Sequence, residues 1–168
     1  MPIRLDGSCR CGAVRFAVAS HAPQPYQLCY CSICRKTAGG GGYAINLSGV
    51  AATLDVTGGD EHAVWHAQIE EPDENGVCRL QASPAERHFC RACASALWLY
   101  DPRWPELVHP FASAIDSPLP IPPARVHLML RYKPSWVVAN VGPDDACFEE
   151  YPQLSIEEWH RGRGLWLD

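Results

Sequence analysis

Cys29-Tyr30-Cys31-Ser32-Ile33-Cys34 puts three thiols into six residues, and the reading of those thiols decides the fold. A C-x-C run followed at once by C-x-x-C leaves too few intervening residues to hold the sulfurs apart, so all three can converge on one ion at about 2.3 Å. The expected local shape is a pair of adjacent hairpin-like turns. A structural zinc site takes four protein ligands. Three ligands with one open position is the catalytic kind, where water or a substrate sulfur completes the tetrahedron.

The 168 residues, 47% of them hydrophobic, are expected to form one domain over residues 1–168 with an adequate core. A formal net charge of −5 and a pI near 5.8, with no basic run, argue against a nucleic-acid or anionic membrane partner. The opening Met1-Pro2-Ile3-Arg4-Leu5-Asp6 has no apolar signal region. No later stretch approaches the roughly 18 apolar residues of a span, so the expected location is the cytoplasm. Nine cysteines, an odd count, fit a reducing compartment in which clustered thiols bind metal better than they fit a disulfide framework. Cys9 with Cys11, the central three, and Cys90 with Cys93 form tight clusters. Cys78 and Cys147 stand alone and are expected to be small buried hydrophobes.

The rest of the chain reads as short strands. Val14, Phe16 and Val18 alternate directly after Gly7-Ser8-Cys9-Arg10-Cys11-Gly12, and Tyr26 to Tyr30 runs into the central cysteines. After Arg35-Lys36-Thr37 comes Gly39 to Gly42, either a plain loop or backbone amides that close on a ligand. Tyr43 to Leu47 and Val50 to Val56 suggest a meander. Ala63 to Ile69 and Val77 to Ala82 flank the acidic tip Glu70-Glu71-Pro72-Asp73-Glu74-Asn75-Gly76. Arg87-His88-Phe89 leads into Cys90-Arg91-Ala92-Cys93, and Ala96 to Tyr100 leaves as a strand. Seven prolines between Pro102 and Pro123 restrict Val108 to Ile115 to an edge strand. Arg125 to Leu130 and Trp136 to Val141 are the last expected strands. Ser155-Ile156-Glu157-Glu158 is a capping box opening the only expected helix, which ends near Gly162 or Gly164.

Counting ligands pairs Cys9 and Cys11 with Cys90 and Cys93 as a closed set, leaving Cys29, Cys31 and Cys34 as an open one. A rival pairing joins Cys31 and Cys34 to Cys90 and Cys93 as a zinc ribbon. Positions 35 to 89 then separate the pairs, far more than the ~15–20 residues of a compact ribbon, and Cys9, Cys11 and Cys29 are stranded. None of the seven histidines has zincin spacing. His62 and His66 lie on an expected strand, and His88, two residues before Cys90, is the first candidate for a fourth ligand.

These residues resemble the glutathione-dependent formaldehyde-activating enzyme family, whose domain also occurs in a centromere protein. Gly7-Ser8-Cys9-Arg10-Cys11-Gly12-Ala13-Val14 resembles its opening motif, Cys29 to Lys36 its central motif and Arg87 to Cys93 its third. His127 with Lys133-Pro134-Ser135-Trp136, and Ser155 to His160, extend the likeness towards the end of the chain. The resemblance implies a mainly β fold, the β-tent of folded antiparallel sheets. It implies a structural zinc on Cys9, Cys11, Cys90 and Cys93, a catalytic zinc on Cys29, Cys31 and Cys34, and glutathione as co-substrate with formaldehyde. The implied reaction gives S-hydroxymethylglutathione, a carbon–sulfur bond step classed with the lyases, and the resemblance leaves room for a homodimer. Three departures stand out. Tyr30 replaces the usual His, Ala94 replaces the usual Gly where φ > 0 is often needed, and Gly59 to Pro84 is longer than usual.

Three thiolates set a formal charge of −3 against +2, which makes a poor Lewis acid for water and suits a sulfur substrate better. The expectation is that a thiol binds as thiolate and adds to an aldehyde carbon. Arg35 or Lys36 would neutralise the excess charge or hold a substrate carboxylate. The alternative is a zinc-stabilised binding or chaperone-like module, in which both knuckles only hold sheets together.

Overall fold

A computed structural model describes residues 1–168. The chain is mainly β. β1 (Ile3–Ser8) and β2 (Arg15–Ser20) form a hairpin, and the turn between them carries Cys9 and Cys11. Next come β3 (Gln27–Cys29), a short helix α1 (Ser32–Thr37), β4 (Ala44–Ile45), β5 (Gly49–Val50) and β6 (Asp55–Thr57). The long strands β7 (His62–Pro72) and β8 (Cys78–Cys90) form the acidic-tipped hairpin, and Gly76 takes φ +76° in its turn. They are followed by β9 (Ala96–Tyr100), β10 (Leu107–Pro110), β11 (Val126–Leu128), β12 (Ala146–Cys147) and α2 (Ile156–Arg161). No helix is long and apolar enough to cross a membrane.

Three sheets result, in the orders β1-β2-β6, β5-β10-β9-β8-β7 and β12-β11-β3-β4. The first two are antiparallel throughout. The third is mixed, because β11 runs parallel to both β3 and β12, a departure from the all-antiparallel expectation. The first sheet packs Leu5, Val14, Phe16 and Val18 against Leu97, Trp98 and Val108 of the second, with Phe16 and Trp98 edge to face at 5.1 Å. A second cluster joins Cys29, Ala44, Val126 and Leu128 of the third sheet to Phe111 and Trp159, with Ala96 and Leu99 of β9 at its margin. The central sheet therefore serves two cores, one on each side.

Several elements differ from expectation. Residues 32–37 are helical instead of a second turn, because the Cys31 sulfur accepts the Cys34 N–H at 3.3 Å and caps the helix, while Arg35 and Lys36 sit at its C-terminal end. β4, β5 and β6 do not form a meander, since they pair with β3, β10 and β2 in three different sheets. β10 is not an edge, being bonded to β9 on one side and β5 on the other. Trp136 to Val141 makes no strand. Only Val137 is buried, Trp136 and Val138 face solvent, and the Lys133 ammonium donates to the Val137 carbonyl at 2.7 Å to close a loop. Cys78 and Cys147 are exposed instead of buried. The capping box of α2 is present, with the Ser155 side chain accepting from Glu158 N and the Glu158 carboxylate accepting from Ser155 N.

Candidate functional site

All nine cysteines are free, and seven fall into two sets. The sulfurs of Cys9, Cys11, Cys90 and Cys93 lie within 4.8 Å of one another, as do those of Cys29, Cys31 and Cys34. Tetrahedral zinc–sulfur bonds of about 2.3 Å place sulfurs about 3.8 Å apart. Cys9 to Cys11 is 3.5 Å and Cys11 to Cys90 is 3.8 Å, so the four-sulfur set fits such an ion. The rival ribbon pairing of Cys31 and Cys34 with Cys90 and Cys93 does not occur.

Two tight turns build the four-sulfur set. Gly12 at φ +78° lets its N–H reach the Cys9 carbonyl, and Ala94 at φ +60° does the same toward Cys90. Ala94 thus occupies the left-handed conformation expected of its position, a costly one for a residue with a Cβ. The Arg10 N–H donates to the Ser95 hydroxyl at 3.0 Å and ties one turn to the other. The Val14 N–H donates to the Cys9 sulfur at 3.2 Å, a bond that favours thiolate.

The three-sulfur set sits on β3 and the first turn of α1. Cys29 and Cys34 are buried and Cys31 is half-buried. Without a cation the three sulfurs compete for one negative charge. Hydrogen bonds from Cys29 and then Cys34 pull Cys31 down, while the bonds of Cys29 to Cys31 and Cys34 push Cys29 up. A divalent cation removes that competition, so the donor set suits a soft, thiolate-binding metal such as zinc. No histidine or carboxylate joins the three at that distance.

His88 is not the fourth ligand. It points to the other face of β8, where it hydrogen-bonds His62 at 2.7 Å and Glu86 at 3.1 Å and stacks on Trp98. Its neighbour Arg87 reaches the site instead, with both terminal guanidinium nitrogens 3.8 Å from the Cys34 sulfur. Sequence reasoning passed over Arg87. Strand alternation carried the signal, since Arg87 and His88 must face opposite ways.

Tyr30, between two ligand-type cysteines, faces away from them by the same alternation. Its hydroxyl donates to His127 Nδ1 at 2.9 Å, and His127 Nε2–H donates to the Asp145 carboxylate at 3.2 Å. Asp145 also accepts from the Arg125 and Gly142 N–H groups. This buried relay braces β3 against β11 behind the sulfurs.

Arg35 and Lys36 line a cavity of about 400 Å³ beside α1, together with Gly39, Gly40, Ser95 and Ser113. Arg35 Nε is buried and has no partner within the chain. In the glycine run, Gly39 is required by packing, since a Cβ would lie 2.0 Å from the Tyr43 carbonyl oxygen, whereas Gly40 borders the cavity with nothing near it.

Residues 4–130 match the profile of a family described as glutathione-dependent formaldehyde-activating enzyme. A Halomonas elongata protein named "Putative glutathione-dependent formaldehyde-activating enzyme" is 62% identical over 161 residues, spanning 96% of this chain and 97% of its own length. The fold is similar to the crystal structure of a Rhodobacter sphaeroides protein, at a TM-score of 0.51 and 22% identity over 68% of this chain and 91% of that one. Three cysteine motifs in order, gathered in space into a set of four and a set of three, agree with both the profile and the relative: the chain belongs to the glutathione-dependent formaldehyde-activating enzyme family.

Proposed function

We propose that the chain is a zinc-dependent carbon–sulfur lyase that joins a thiol, glutathione or a close analogue, to formaldehyde or a small aldehyde at Cys29, Cys31 and Cys34. The observation that carries this reading is the inequality of the two sulfur sets, four convergent donors in one and three in the other, with a cavity lined by Arg35 and Lys36 beside the helix that carries Cys34. The four-sulfur set would hold a structural zinc, and the three-sulfur set a second. Zinc on three thiolates would supply an open position that stabilises a substrate thiol as its thiolate.

The chain's own residues do the rest. Arg87 sets a positive charge against Cys34 and offsets part of the excess negative charge of three thiolates. Arg35 and Lys36 line the cavity where substrate carboxylates would lie and would supply its positive charge. Gly40 leaves that wall open. The partners are a small thiol and an aldehyde, with no role for nucleic acid or membrane, and the reducing cytoplasm is where nine free thiols persist.

Exchange between free and thiol-bound formaldehyde in the presence of glutathione, followed by NMR exchange spectroscopy, tests the reading. Wild type accelerates the exchange, and folded Cys34→Ser loses the acceleration. A wild type that binds zinc at both sets yet leaves the exchange at its uncatalysed rate favours a binding module.

A further inference from the structure

A second cavity, of about 270 Å³, lies between the end of α1 and the face of β7, β8 and β9. Six of its nine lining residues are hydrophobic, Val64, Trp65, Phe89 and Phe111 among them. It adjoins the thiol site at three points. Arg87 lines it while its guanidinium lies 3.8 Å from the Cys34 sulfur. Phe111 packs in the same buried cluster as Cys29 and Cys34. Thr37 and Ala96 line both this cavity and the cation-lined one, so a polar half and an apolar half meet beside α1. Trp65, on the same face as Arg87, is 45% exposed, which leaves apolar surface of this wall facing water.

Formaldehyde has no carbon beyond its carbonyl and can use none of this wall. We propose that the carbonyl substrate is an aldehyde with an apolar side chain of about benzyl size, seated against Trp65 and Phe89, which share the Arg87 face of the sheet, while its carbonyl carbon lies toward Cys34. This inference rests on the thiol-addition reading. In the step, the thiol sulfur forms a bond to the carbonyl carbon, the C=O π pair moves to oxygen, and oxygen takes the proton that left the thiol. The product is a thiohemiacetal, and no oxidant or reductant is consumed.

The test compares glutathione exchange with formaldehyde and with phenylacetaldehyde, each as acceleration over its own uncatalysed rate, on zinc-loaded protein. Acceleration is expected to be at least about ten-fold greater for phenylacetaldehyde, the discrimination an apolar pocket supplies. Trp65→Ala should remove that advantage and leave formaldehyde exchange unchanged. Equal or greater acceleration of formaldehyde, or a loss in Trp65→Ala that is alike for both aldehydes, overturns the proposal. Should neither aldehyde be accelerated, the thiol-addition reading fails, and 3-fluorobenzyl alcohol, which cannot add a thiol, decides the pocket by ¹⁹F line width. Broadening in wild type that Trp65→Ala abolishes supports an apolar-ligand site, and an unbroadened line in wild type overturns it.

Discussion

Tyr30 shows how a single residue can sit between two metal-type cysteines without being one of the donors. Its hydroxyl is buried and bonded to His127, so Tyr30→Phe leaves a buried imidazole nitrogen unpaired, at a cost of about 1–3 kcal/mol. Urea denaturation should show that loss while zinc content stays that of wild type. A variant that loses zinc with no loss of stability would place the hydroxyl at the metal instead. His160 is fully buried, with Nδ1–H donating to the Ile156 carbonyl and Nε2 unpartnered. Burial first, then the Arg163 charge against the help of Ile156, holds its pKa below the ordinary value. A histidine depressed in the folded state contributes stability in full above the unfolded pKa, about 6.5, and that stability is lost as pH falls toward the folded value. The stability gap between wild type and His160→Gln should therefore narrow from about pH 7.5 to about pH 5.5, and a constant or widening gap would show that no such linkage exists. At this scale the cysteines were legible from spacing alone. Arg87 was not, because its role depends on which face of β8 it occupies and on α1 lying opposite that face.

Among the elements, strands with strict alternation or a flanking knuckle were readable, as β2 and β9 show, whereas β8 read as two pieces divided at Pro84 and is one strand from Cys78 to Cys90. α1 was not, since six residues are too few to display a helical period and its cap is a cysteine sulfur instead of the usual oxygen. β10 read as an edge because of its prolines, yet Pro110 stands at the strand's last position, where the missing N–H disturbs the ladder least. Trp136 to Val141 read as a strand because it is apolar, but only Val137 packs inward, beside Leu28 and Tyr30, while Trp136 and Val138 face solvent. The β7–β8 hairpin carries a prediction of its own. β9 supports β8 only from Glu86 to Phe89, so the outer ladder from Gln68 to Ala82 pairs with nothing but itself and is of the marginal two-stranded kind. Replacing residues 70–79 by a short turn should move the melting temperature by no more than about 2–4 °C, a shift worth about 1 kcal/mol. A collapse of zinc content or a much larger shift would show that the arm supports the core.

For the whole molecule, the division of seven cysteines into four and three follows from counting ligands. The mixed third sheet does not, because residues 27–29 and 126–128 meet in parallel across most of the chain. The two sulfur sets also sit in different cores, Cys9 and Cys90 with the first and second sheets, Cys29 and Cys34 with the third. A structural zinc contributes folding free energy on the order of 10 kcal/mol, more than most domains' net stability, so Cys90→Ser should give unfolded or insoluble protein. Cys34→Ser should stay folded with one zinc in place of two, as elemental analysis and melting curves would report. Equal unfolding of both variants would make the central set structural. Whether the central metal keeps a position for substrate is measured most directly by a crystal structure of the zinc-loaded protein soaked with glutathione. It should show two zinc ions per chain, one on Cys9, Cys11, Cys90 and Cys93, the other on Cys29, Cys31 and Cys34 with the glutathione sulfur about 2.3 Å away. A central zinc closed by a fourth protein ligand, with glutathione bound elsewhere or not at all, would contradict it.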